Sequence, residues 1–298
     1  MPNWKPKVPV TIGNIGALPK LQELFNKYDI RPTYLITYPV ASEDLGIETL
    51  RSLLKQKNCE IGTHFHPWTT PPIHESEIQS AIFPFKLEKN LHRAKLINLT
   101  NSIKKSFNIE PKSYRAGRFG FDKIGLKLIE ELGYNVDTSV TPLTNWGSDF
   151  RGATSTPYFL DYEDLTKQGQ SNILEVPVSI DIDLHKYFKS MYAMSSEKVK
   201  GALKYFGVKR NWLRPSLSST NEMIKLSGYL IKNNVKILNM MFHSSELTTT
   251  GSPFNKTEIG VRNYFNKLEE YFKFIKKGEI NPLTLSEFRK TYIKENLT

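Results

Sequence analysis

The chain reads as an α/β barrel built from parallel βαβ units. Three observations predict it. Helical and strand-like apolar periods alternate along the 298 residues, and about seven such units favour a barrel over an open sheet. Polar residues also recur at the C-terminal ends of the strand-like runs, where barrels of this class carry their chemistry. On length, one barrel-sized domain over residues 1–298 and two smaller ones are equally compatible. No composition shift, low-complexity tract or solenoid repeat divides the chain, so it is read as a single domain.

The first unit is a helix followed by a strand. In ALPKLQELFNKYDI, Leu18, Leu21, Leu24 and Phe25 recur at helical spacing, and the β-rich run RPTYLITYPV follows. DLGIETLRSLLKQKN predicts a second helix. A short apolar strand then runs from Cys59 to Phe65, where Gly62 lets the backbone pass closely and Pro67 ends any ladder bonding. A long helix from about Leu87 to Phe107 precedes the strand KSYRAGR, and DKIGLKLIEELG is an amphipathic helix stopped by Gly133. NVDTSV and the apolar NILEVPVSI are further strands, and a helix from about Thr220 to Asn233 leads to the strand KILNMMFHS. A last helix spans about Glu258 to Lys276. The segment from Trp146 to Gln170, rich in Gly, Ser, Thr and Pro, predicts an excursion over one barrel face.

His64 and His66 stand two residues apart at the end of the strand EIGTHF, so both lie on one strand face. Two neutral imidazoles there can grip one ion, and nitrogen donors suit zinc or a neighbouring first-row metal. A structural or surface pair is the alternative. Arg115 and Arg118 follow one strand, Asp137 another, Glu175 lies within a third, and His243 ends NMMF. Singly, Arg115 reads as a salt-bridging residue, Asp137 as a turn or cap, and His243 as a satisfied core histidine. Glu175 is harder to dismiss, because burying an unpartnered carboxylate is costly. Their repeated placement at strand ends favours function.

Composition narrows the classes. Hydrophobic content of 39% and aromatic content of 12% are those of a folded globular protein. The net charge of +11 is scattered over amphipathic segments, and no zinc-finger spacing, basic heptad or aromatic stripe supports nucleic-acid binding. Cys59 is the only cysteine, which excludes an intrachain disulfide and reads as a buried structural thiol. No apolar run is long enough to span a bilayer, and MPNWKPKVPV lacks the apolar core of a secretory signal, so a cytoplasmic location is expected.

EIGTHFHPW, YRAGRFGFD, GYNVDTSV, ILEVPVS and MFHSSEL resemble, in order and spacing, the polysaccharide deacetylase family, also called the NodB-homology or carbohydrate esterase family 4 group. The resemblance covers most of the chain. LPKLQELFNKY, RPTYLITYPVA and TLSEF, Thr284 to Phe288, are similar to a branch encoded with bacterial surface-polysaccharide genes. The resemblance implies a distorted (β/α)7 barrel of the glycoside hydrolase/deacetylase type. It also implies a divalent metal between one aspartate and two histidines, expected to be zinc, with cobalt, manganese or nickel as alternatives. The implied reaction removes an N-acetyl group from a sugar or polysaccharide precursor. On this resemblance His64 and His66 bind the metal, Arg115 orients the base, and His243 is the general acid. Asp137 and Glu175 are expected to face the barrel mouth as orienting or substitute acids. The family spaces its metal histidines by four, so the spacing of two is a departure, and His74 in TPPIHE is the substitute for His66.

A larger departure lies near the N-terminus. The family's first strand carries two aspartates, one the base and one a metal ligand, yet the first acidic residue here is Glu23, inside the first helix. The sequence therefore predicts either an internal start at Met1 or a degenerate relative. The expected barrel lacks one strand, or is closed by VPVTI without its carboxylates. The leading reading is a metal-dependent deacylase of slow or absent activity. Its rivals are a catalytically inert carbohydrate-binding or regulatory relative, and a nucleic-acid-binding protein resting on charge alone. Sugar, acyl group and oligomeric state stay open.

Overall fold

The computed structural model describes residues 10–73, 82–182, 184 and 186–296. Leu18–Lys27 (α1) buries Leu18, Leu21 and Phe25 along one stripe, as its period predicts. Thr33–Ile36 (β1) follows, and Tyr38–Ser42 (α2) and Asp44–Leu54 (α3) return the chain to Glu60–Phe65 (β2). Lys89–Phe107 (α4) starts where the Glu88 carboxylate accepts from the N–H groups of Asn90 and Leu91 at 2.8 and 3.2 Å. It stops at Asn108, left-handed at φ 53°. Ser113–Ala116 (β3), Lys123–Glu131 (α5) and Val136–Asp137 (β4) repeat the unit, with Gly133 turning the chain at φ 83°.

Strands β1 to β4 are parallel neighbours in sequence order, continued by Leu174–Glu175 (β6), while Tyr158–Phe159 (β5) lies antiparallel outside β6. β5 belongs to the predicted excursion, which is otherwise held by isolated bridges between Asn145 and Asp149 and between Leu160 and Gln168. The run NILEVPVSI is not one strand. Pro177 has no N–H to donate, so β6 stops short of it. Ile180–Asp181 (β7) then pairs antiparallel with Asn211–Trp212 (β8). Two helices that the sequence reading did not assign, Lys186–Met194 (α6) and Glu197–Tyr205 (α7), separate β7 from β8.

Thr220–Lys232 (α8) opens on a capping box in which Ser219 and Glu222 satisfy each other's backbone donors. KILNMMF then runs as irregular backbone rather than as the expected strand. It is still tied to its neighbours, for the Ser179 N–H donates to Asn239 O at 3.1 Å and the Met241 N–H to Leu213 O at 3.3 Å. The Asn239 amide also donates to Thr138 Oγ1, Val176 O and Pro177 O. Among the described residues no backbone hydrogen bond joins β1 to residues 235–242, which leaves β1 as the outer strand of its sheet. The described part of VPVTI, Val10–Ile12, is coil that leads into the turn Gly13–Ala17. Val8 and Pro9 lie outside the described residues.

Glu258–Lys277 (α9) and Leu285–Asn296 (α10) complete the fold. Glu60 staples the base of the sheet to α10. Its carboxylate accepts from Thr33 Oγ1, Ser113 Oγ, Ser286 N and Ser286 Oγ at 2.6 to 3.1 Å, placing a negative charge at the helix N-terminus. TLSEF is thus a structural motif in this chain. One apolar cluster extends from Ile12 in the N-terminal coil to Ile275 in α9 and includes Leu50, Phe65, Leu96, Ile129 and Met223. Cys59 is half-buried rather than buried. Burial, with the Glu60 charge, pushes its thiol up to about 11, so it is not a thiolate nucleophile at neutral pH.

Candidate active site at the strand ends

Parallel register sets the polar residues in rows. His64 is level with Arg115, Tyr114 with Asp137, and Asp137 with Glu175. The His64 and His66 rings meet edge to face, 4.3 Å between centroids and 74° apart. His64 Nδ1 lies 3.1 Å from Arg115 O. A carbonyl only accepts, so Nδ1 carries the hydrogen and Nε2 keeps its lone pair. His66 Nδ1 is buried without a hydrogen-bond partner, against Gly117, where a Cβ would fall 2.3 Å from it. Glycine is required there. Burial draws His64 down to about 3, with the charges of His243 and Arg115 adding, and draws His66 well below its ordinary value, with His64, His243 and Arg118 adding. Both rings are therefore neutral at physiological pH.

The loop after His66 is held by Lys95. This buried ammonium donates to Pro67 O at 3.2 Å, to Thr70 O at 3.0 Å and to Pro72 O. Thr69 and Thr70 hydroxyls donate to His66 O at 3.2 and 3.0 Å. After β3, Arg118 and Phe119 sit in the left-handed region at φ 54° and 57°. Strain of about 1–3 kcal/mol per residue is characteristic of such positions near functional sites. Gly147 makes room for that turn, since a Cβ there would lie 2.5 Å from Arg118 O.

His243 is exposed at its ring and backed by a buried acid. Its Nδ1 is 3.0 Å from Glu246 Oε1 and 3.2 Å from Arg214 Nη2. A carboxylate only accepts, so Nδ1 donates to Glu246, while Arg214 gives its hydrogen to the same carboxylate at 2.6 Å. Tyr264 at 3.0 Å and Ser216 also donate to Glu246. Despite burial, the His243 hydrogen bond and the Arg214 charge hold Glu246 down to about 2. Among the described residues His243 Nε2 makes no hydrogen bond, and the ring is exposed.

Asp137 and Glu175 are brought together with each other but sealed from solvent. Burial pushes Glu175 well above its ordinary value, the Asp137 charge and hydrogen bond add to this, and Glu175 Oε1 accepts from Val140 N at 3.1 Å. Burial also raises Asp137, but the Ser139 N–H at 3.0 Å and hydroxyl at 2.7 Å oppose it. The pair thus keeps one proton, on Glu175. Arg115 donates from Nε to Thr138 O at 2.9 Å and from Nη2 to Thr138 Oγ1 at 3.0 Å, and burial lowers it to about 10 against the charge of Asp137.

The donor set fits half of a metal centre. His64 and His66 supply two neutral nitrogens, one with its tautomer fixed, as metal ligation requires. Among the described residues, however, no group of three or more His, Cys, Asp and Glu side chains could hold an ion. The nearby carboxylates are committed elsewhere, and His74 lies outside the described residues. Sequence reasoning missed Glu246, Arg214 and Lys95. The spacing His-x-x-Glu in MFHSSEL signals the first, and the position of Lys95 in the apolar stripe of Leu91 and Leu99 signals the last. Nothing local marks Arg214.

No protein-family model and no curated protein matches the chain. Solved structures do. A protein from Parabacteroides distasonis described as a glycoside hydrolase/deacetylase matches 94% of this chain and 64% of its own length at 12% identity, with a TM-score of 0.62. One from Mycobacterium smegmatis described as a polysaccharide deacetylase matches 92% of this chain and 81% of its own, at 16% identity and a TM-score of 0.46. The Xyl-CE4 domain of a xylanase from the Trinervitermes trinervoides hindgut metagenome covers 95% and 86%, at 8% identity and 0.46. The chain has the α/β fold of the glycoside hydrolase/deacetylase barrels.

Proposed function

We propose that the chain is a hydrolase that removes an acyl group from an N-acetylated sugar, and that its chemistry sits at the mouth formed by His64, His66 and His243. The observation that carries this reading is the backing of His243 by Glu246. A mouth-facing imidazole whose other nitrogen donates to a buried carboxylate can take up a proton and release it to a departing nitrogen, and Glu246 stabilises the cation in between. His64 and His66 would hold a divalent ion, which supplies polarisation of the acyl carbonyl when bound. Arg115 fixes the end of β4 through Thr138, and its charge helps to keep His64 neutral. Asp137 and Glu175 act below the mouth as a shared-proton pair. Among the described residues no carboxylate joins His64 and His66 in a metal-binding group, and Glu246, Asp137 and Glu175 are engaged elsewhere, so turnover is slow.

That same lack supports a second reading, a carbohydrate-binding relative without hydrolysis. Release of acetate from an N-acetylated hexosamine oligosaccharide, with and without added zinc or cobalt, separates the two. Metal-dependent release that His243→Ala abolishes supports the hydrolase. Absence of release under every metal, with the sugar still bound, supports the binding protein.

A further inference from the structure

Beside His243 lies an arginine and aromatic ladder that the proposed chemistry does not use. Trp146, 45% exposed in the loop after β4, stacks on Trp212 of β8 with centroids 5.0 Å apart and planes at 28°. The Arg210 guanidinium lies 5.5 Å over the Trp146 ring. Arg214 lies 5.1 Å over Trp212 and 5.5 Å over Phe254, which is itself 41% exposed. Arg214 also touches His243 and Glu246, so the ladder runs directly into the candidate site. The guanidinium groups, the exposed Trp146 indole and the exposed Phe254 ring together offer an apolar surface and a charged fork.

We infer that this ladder is a subsite for a saccharide bearing an oxyanion, a carboxylate or phosphate, next to the residue being acted on. The inference rests on the proposed reading that the mouth takes a sugar. The exposed parts of Trp146 and Phe254 offer apolar surface to a pyranose ring, and a guanidinium beside them pairs with an oxyanion on the ring through charge-assisted hydrogen bonds. The local charges are complementary to such a ligand. Arg210 lies over the exposed Trp146 ring, and Arg214, paired with Glu246, lies at the other end of the ladder. Among the described residues, the acids whose charges meet Arg214 and Arg210 are engaged: Glu246 by Arg214, His243, Ser216 and Tyr264, and Glu197, which feels Arg210, by Lys200 at 2.9 Å. Arg210 spends one nitrogen on Leu143 O at 2.6 Å, which points its remaining donors without neutralising its charge.

The test is calorimetric titration of the purified chain with a glucuronate-containing disaccharide, its neutral glucose counterpart and a hexose phosphate, at low and high salt. Expected is about tenfold tighter binding of at least one oxyanion-bearing sugar than of the neutral one, weakened by salt. Arg210→Ala should erase the preference and keep neutral-sugar binding. Arg210→Lys should keep part of it. Trp146→Ala, at a surface position whose fold is checked by thermal unfolding, should weaken all three ligands. Equal affinity for all three sugars, binding of none of them, or a preference that survives Arg210→Ala would overturn the inference. Acetate release measured on the same samples keeps the readings apart. Lost hydrolysis with a retained oxyanion preference removes only the hydrolase, and hydrolysis without that preference removes only the subsite.

Discussion

Glu175 and Glu246 are equally hidden, at 0% and 1% exposure, yet they hold protons in opposite ways. Glu175 faces Asp137, a second acid, and burial with that like charge drives it upward. Glu246 faces Arg214, His243, Ser216 and Tyr264, all donors, and is held down to about 2. Burial sets the stakes and the partners set the sign. The consequence is a division of labour. Glu246 remains an anion under the exposed His243 ring, and Glu175 becomes a neutral hydrogen-bond donor in the buried interior.

The contrast is broken most severely by removing the anion. Glu246→Ala leaves the Arg214 charge without its buried partner and should cost about 3–5 kcal/mol by denaturant unfolding. A loss under 1 kcal/mol would mean that solvent reaches Arg214 freely. The pH dependence sharpens the contrast further. Glu246 has a folded value below its ordinary 4.5, so its contribution is present above 4.5 and is lost as pH falls toward about 2. The full loss is about 3 kcal/mol, and Glu246→Gln should lack it.

Glu175 works in the reverse direction. Its folded value lies above the ordinary 4.5, so the native state keeps a proton that the unfolded chain releases. Stability therefore falls as pH rises above 4.5, by up to about 1.4 kcal/mol per unit until the raised value is passed. Glu175→Gln can still donate to Asp137 and accept from Val140 N, so it should remove this slope. Near pH 4 it should change stability by no more than about 1 kcal/mol. An unchanged slope would place the proton elsewhere. The smallest effect is at the histidine pair. Cobalt titration should show loose binding to the parent chain and about tenfold weaker binding to His64→Ala, and superimposable isotherms would remove His64 as a ligand.

What could be read from the sequence follows the range of the contacts. His64 and His66 are neighbours on one strand, so spacing alone put them together. The helices α1, α4, α8 and α9 carry their periods and caps locally, and their bounds match the sequence reading closely. Asp137 and Glu175 were visible as out-of-place acids. Their pairing was not, because it depends on the register of β4 against β6. Likewise Arg214 and Glu246 come from two loops 32 positions apart and share no local pattern. The breaks in NILEVPVSI and KILNMMF arise where backbone bonding to residues 140, 179 and 213 replaces a regular ladder. Apolar composition does not record that exchange.

On the proposed function His243 over Glu246 handles the proton, while Asp137 and Glu175 stay sealed from solvent. Acetate release from an N-acetylated hexosamine oligosaccharide, compared among the parent chain, His243→Ala and Glu175→Gln, tests it most directly. Glu175→Gln should keep the parent rate within a few-fold, and His243→Ala should lose about 10²–10⁴-fold. A His243→Ala protein as active as the parent, or loss of activity in folded Glu175→Gln, would contradict it.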